Sequence, residues 1–191
     1  MNTMLYPLPD SIEVSGKKYP VKTSFRAWIE FEHILDEPVD FTKKIVPLIC
    51  AVMDTKSLPE DISELMTGLF DFYIGTQKSE KKTKGTGEKA VRSYSYYYDF
   101  DYIYAAFLAQ YGIDLSECDM HWHKFTTLFA NLNEEHRISK IMEYRAYDLN
   151  KEENKKMRHF YRHMKDLYAL PDNRTQEEID RDMSDELSKL M

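Results

Sequence analysis

The chain is poor in cysteine, in excess positive charge and in long apolar runs. Its two cysteines among 191 residues, Cys50 and Cys118, lie far apart and match no metal or redox spacing, which excludes a disulfide framework and a zinc ribbon. Both thiols are expected to act as small apolar residues in a reducing compartment. With 33 Asp and Glu against 26 Lys and Arg, the formal charge is −7, so there is no global basic field for nucleic acid. The longest apolar run, Val46 to Met53, is too short to span a bilayer. The opening MNTMLYPLPD has no basic stretch followed by an apolar one, so no signal peptide is expected. GxSxG, P-loop and GxGxxG patterns are missing too, which leaves nucleophilic and nucleotide-dependent catalysis without a motif.

What is present is apolar mass: 42% hydrophobic residues, with 14 Tyr, 10 Phe and 10 Met. That supplies a core for one full domain or two small ones and argues against wholesale disorder.

Two short β-prone runs, IEV and YPV, flank a Ser15-Gly16 turn and predict a small hairpin, with Pro20 holding the second strand to an edge. From Ser24, a candidate cap, the period becomes helical, with Phe25, Trp28, Ile29 and Leu35 on one face. Asp40 can cap a second helix through Ile45, Leu48, Ile49 and Val52, with a kink or late start at Pro47. Pro59 is expected at the first position of a third helix, apolar at Ile62, Leu65, Met66, Leu69, Phe70 and Tyr73. Residues 75–93 are then basic and almost without apolar side chains, the composition of a flexible linker.

Beyond the linker, Phe100, Ile103, Phe107 and Tyr111 recur at helical steps, with Asp99 as cap and Gly112 as a left-handed stop. Ser116 can cap the next helix, whose stripe is Trp122, Phe125, Phe129 and Leu132. Asn133 opens a helix through Ile138, Ile141 and Met142. Residues 151–170 read as a long amphipathic helix ended by Pro171. Met157, Phe160, Tyr161, Met164, Leu167 and Tyr168 share one face, and Lys155, Arg158, Arg162 and Lys165 the other. Thr175 and Glu178 form a capping box for a last, acidic helix with a thin stripe of Ile179, Met183, Leu187 and Leu190. The expected fold is mainly α, a multi-helix bundle with a small N-terminal β-hairpin. Its parts are 1–74, the basic linker 75–93, a helical part 94–170 and an acidic helical tail 171–191.

Two histidine pairs invite a metal reading. Within a helix, residues two apart point about 200° apart, so His121 and His123 are not expected to share an ion, and His121 reads as an oriented residue at the core boundary. His159 and His163 are spaced for one face, but Arg158, Arg162 and Lys165 surround them, and Phe160 stands where an HExxH motif needs glutamate. No metal or other cofactor is expected. Asp99 and Asp101 read as capping carboxylates at a helix start rather than an acid–base pair. Lys155, Lys156, Arg158, Arg162 and Lys165 can contact phosphates, yet the aromatics of that helix fall on its apolar side. Glu152, Glu153 and Asp166 dilute the patch, so nucleic acid is an unfavoured partner. Aromatic and Met side chains beyond those needed for the core would form an adaptable surface for an apolar helix.

The segment YDFDYIYAAFLAQYGIDL, the following MHWHKF and KIMEYR at 140–145 resemble a family of proteins from tailed phages and prophages of Gram-positive bacteria. Its members look like tail assembly chaperones, encoded between the major tail protein and the tape measure protein. One departure is His123, where the resemblance leads us to expect a second Trp. The resemblance implies a non-catalytic protein of the host cytoplasm that binds the tape measure protein and helps recruit the major tail tube protein. The candidate protein-binding residues are Trp122, Phe125, Arg145, Phe160, Tyr161 and Met164, with a core role left open for Trp122 and Phe125. The alternatives are a structural tail or head-tail component of the virion and a nucleic-acid-binding phage regulator.

Overall fold

The computed structural model describes residues 7–55, 57–75, 92–174, 176, 180 and 181. Among them the fold is mainly α, with seven α-helices and one two-stranded antiparallel sheet. They form two compact units, one of Pro7–Tyr73 with the described residues after Leu170, the other within Ile74–Leu170. Most of the expected linker, 76–91, and the Thr175/Glu178 capping box lie outside the described residues.

In the first unit, β1 (Ser11–Val14) pairs with β2 (Lys17–Pro20) in the register Ser11↔Pro20 to Val14↔Lys17. Ser15 and Gly16 both have positive φ, 48° and 74°, the combination whose twist suits a two-residue hairpin. Ser15 is not a glycine, and Glu64 holds it in place. The Glu64 carboxylate accepts the Ser15 hydroxyl at 2.7 Å and its N–H at 3.0 Å, and these bonds, the hydroxyl first, lower the pKa of its carboxyl. Pro20 closes β2, and its carbonyl accepts the Asp54 N–H at 3.3 Å.

Helix α1 spans Phe25–Asp36, α2 Phe41–Val52 and α3 Ile62–Ile74. Asp40 caps α2 by accepting the Thr42 N–H at 2.9 Å. The helix starts there and runs on through Pro47, so the late start expected at that proline does not occur. Pro47 lies on the exposed side, where water can serve the carbonyl that loses its partner. Pro59 does not open α3: it is buried ahead of the helix, and Asp61 is the cap, accepting the Glu64 N–H at 2.9 Å. The core is built around Trp28, stacked on Phe72 with ring centroids 4.7 Å apart and donating its indole N–H to the Lys22 carbonyl at 2.7 Å. Phe31, Leu48, Val52, Leu65 and Leu69 are buried with it. Ile29 and Leu35 are only half-buried, because the packed face of α1 runs along Trp28 and Phe31. Cys50 is a free thiol exposed on α2.

The second unit contains α4 (Phe100–Tyr111), α5 (Trp122–Ala130), α6 (Arg137–Ala146) and α7 (Lys155–Leu167), with a 3₁₀ turn at Leu149–Lys151. Gly112 ends α4 at φ 65°. Its N–H reaches the Leu108 carbonyl at 3.0 Å, the bond of an αL cap, and the Ile113 N–H reaches that of Phe107 at 3.4 Å; the left-handed position favours a residue without Cβ strain. The next helices start later than expected. Ser116 turns back onto Asp114 through its N–H and hydroxyl, at 2.8 and 2.6 Å. α5 is capped instead by His121, whose Nδ1 accepts the His123 N–H at 3.1 Å. Asn133 shapes a turn before α6, its carbonyl accepting from His136 N–H and Ser139 hydroxyl at 3.1 and 2.8 Å. Tyr96 is the centre of the core. Its ring meets Trp122, Phe125 and Phe129 edge-on at 5.5, 5.3 and 5.0 Å, and Phe125 stacks on Phe107 at 5.2 Å.

Candidate protein-binding surface

The six candidate residues separate into an interior set and a surface set. Trp122 and Phe125 are each 1% exposed and so offer no area to a partner while folded. Arg145 is also buried. Its guanidinium binds Asp99 through two bonds, Nη1 to Oδ2 at 2.6 Å and Nη2 to Oδ1 at 2.9 Å. It also donates to the carbonyls of Ser93 at 3.1 Å and Tyr168 at 2.6 Å. Asp99 further accepts the Ser95 N–H at 2.9 Å. Asp99 sits at the N-cap position of α4 but makes no side-chain capping bond. The capping expectation is therefore corrected: a paired fork geometry, shielded from water, outcompetes one backbone N–H for the carboxylate. One arginine thus ties the segment before α4 to the chain leaving α7.

Phe160, Tyr161 and Met164 lie together on α7. Asn154 starts this helix by accepting the N–H groups of Lys156 and Met157 at 2.9 and 3.4 Å. Its apolar stripe faces two tyrosines of the α6 end. Tyr147 stacks flat on Tyr161, centroids 3.5 Å apart, while Tyr144 meets Phe160, Tyr161 and Tyr168 at 6.1, 6.2 and 6.2 Å. The Tyr147 hydroxyl donates to the Glu152 carboxylate. That bond pushes the tyrosine pKa up to about 12 and lowers that of Glu152. Arg158 donates to the Glu152 carbonyl, and Arg137 to the Tyr168 hydroxyl at 2.6 Å. The helix is therefore held at both ends by polar bonds and in the middle by tyrosine rings.

None of its residues is buried. Met157, Phe160 and Leu167 remain 41%, 42% and 61% exposed, forming an apolar edge beside a basic face. Neither Tyr144 nor Tyr147 was among the candidates, because their role depends on α7 folding back against α6. Their only signal in the sequence is the aromatic spacing in EYRAY.

His121 and His123 have ring centroids 5.2 Å apart, closer than two residues within one helix would allow. The helix begins between them: His121 is the extended N-cap, so the 200° argument does not apply, and His123 is buried rather than projecting outward. Among the described residues, no group of three or more His, Cys, Asp or Glu comes together that could hold a metal ion.

A protein-family model described as "Bacteriophage Gp15 protein" matches residues 4–170, and the chain belongs to that family. No curated protein and no solved structure matched it.

Proposed function

We propose that this bacteriophage family member is a tail assembly chaperone that holds the tape measure protein through the α7 edge and helps recruit tail tube subunits in the host cytoplasm. The supporting observation is the incomplete burial of an otherwise regular apolar stripe, with Met157, Phe160 and Leu167 41%, 42% and 61% exposed. Contiguous apolar surface of this kind normally marks an interaction site. A tape measure protein is a very long helical chain whose apolar stripes aggregate until the tube forms around them. An acidic protein of net charge −7 that covers such stripes keeps the complex dispersed. The mechanism is passive: many weak contacts along the client, displaced as tube subunits close around it. No catalytic step is assigned. Among the described residues, no helix is long and apolar enough to cross a membrane.

Co-expression with the tape measure protein of the same phage is the test. The expected result is a soluble, co-purifying complex, lost in a Phe160→Asp/Leu167→Asp variant that folds normally. A client that stays insoluble with no complex in pull-downs overturns the proposal. Mass spectrometry of purified particles should find the protein absent; its presence would favour a structural component of the virion.

A further inference from the structure

We infer that the α7 edge selects acidic amphipathic helices, so that the client segments it holds are apolar stripes flanked by Asp and Glu. The inference rests on α7 being the client-holding face. Met157, Phe160, Met164 and Leu167 follow one another at helical steps along the whole element, a row about 15 Å long. Such a row matches the ridge of another helix laid against it.

On α7 itself the charges beside the open edge of the row are basic, while Glu143 and Glu152 face the Tyr161 side of the helix from α6 and the turn before α7. Lys156 and His163 are its nearest polar neighbours by helical spacing, each three or four residues from Phe160, and His163 is four from Leu167. Lys155, His159 and Arg162 stand behind them, exposed. The helix holds five Lys or Arg against one Asp, in a chain of net charge −7. Arg145–Asp99, Lys151–Asp148 and Arg174–Asp172 are ion pairs among the described residues, and none of them neutralises α7. The Lys and Arg side chains share one helix with the row, and screening at physiological salt sets in only over a Debye length of about 8 Å, so they act on whatever occupies it. Carboxylates flanking a docked stripe are attracted, and lysines are repelled. A nucleic-acid backbone would use the charges but leave Met157, Phe160 and Leu167 in water, so the surface suits an acidic helix better.

Two synthetic helical peptides with one shared Leu/Phe stripe, flanked by Glu in one and by Lys in the other, are titrated into the full chain by fluorescence anisotropy. The Glu peptide is expected to bind at least about tenfold tighter at low salt, with the gap narrowing as ionic strength rises toward about 1 M. A Lys156→Glu/His163→Glu variant changes two exposed side chains, and circular dichroism checks its fold. It should lose or invert the preference. Equal affinity for the two peptides, or a preference unchanged in the variant, overturns the inference. So does duplex DNA binding that the variant abolishes, which assigns the face to phosphates, or a dimer that the variant dissociates, which assigns it to a second copy. A client made soluble while the peptides bind equally leaves the chaperone reading standing and removes the acidic selectivity. A preferred Glu peptide with an insoluble client does the reverse.

Discussion

Helices α5 and α7 carry the same kind of stripe and meet different ends. In α5, Trp122, Phe125 and Phe129 close around Tyr96 and Phe107 and are buried. In α7, Phe160 and Tyr161 touch Tyr144 and Tyr147 on one side only, and Met157, Phe160 and Leu167 stay open. Periodicity is therefore a statement about which side of a helix is apolar, not about whether anything covers it. Side-chain composition marks the difference: the sequence of α5 has one lysine, while that of α7 has five Lys or Arg. A helix that must keep that many cations solvated can give up only one edge to the protein.

The comparison breaks most sharply at the core. Trp122→Ala or Phe125→Ala should cost about 3–5 kcal/mol through lost burial and a residual cavity, read as a large fall in the urea midpoint. A loss below about 1 kcal/mol would mean α5 is no more covered than α7. Arg145→Met comes next. It leaves Asp99 buried without its partner, a change that costs about 3–5 kcal/mol for a buried pair. Adding Asp99→Asn should recover much of that loss, because the stranded charge is gone, and a double-mutant cycle measures the coupling. Strict additivity would show that the two residues do not act as a pair.

On α7, Leu167→Asp should shift stability by only about 0.5 kcal/mol, as at an ordinary surface position, and Phe160→Asp, which loses its edge contact with Tyr144, by about 1 kcal/mol, while both abolish co-purification of the client. Equal losses of stability and binding would place this face in the core after all. The smallest effect is on pH. Tyr147 is raised from 10.0 to about 12 by Glu152. Its contribution is present below the unfolded value and is lost as pH climbs from about 10 through about 12. Hydrogen exchange at the α6–α7 junction should therefore rise across that window, and Tyr147→Phe should remove the dependence. Glu152 has the opposite sign: lowered by the same bond, it contributes above its unfolded value and loses that contribution as pH falls through its folded one.

Much of the fold was legible because it depends on neighbours along the chain. The Ser15-Gly16 turn, the Asp40 cap, the Gly112 stop and the apolar steps of α4, α5 and α7 are all local. The misplaced starts have a common cause. Asp61, His121 and His136 stand where the helices begin, whereas Ser116 and Asn133 are better caps than histidine by residue type, and Pro59 a favoured first helical residue, yet all three lie ahead of the helices. Of the candidate surface, Phe160, Tyr161 and Met164 were visible as a stripe. Their partners Tyr144 and Tyr147 were not, since a stripe does not disclose what it folds against.

The sequence alone determined a mainly helical protein with an N-terminal hairpin, because the periods of two and 3.6 are properties of the backbone. It also carried the family, through motifs that survive as local strings. Only the tertiary structure decided that Arg145 faces inward. A charged side chain joins whichever partner shields it from water, and that partner, Asp99, is 46 residues away. The same holds for the two aromatic stripes: which one is covered depended on what else the chain brought against it.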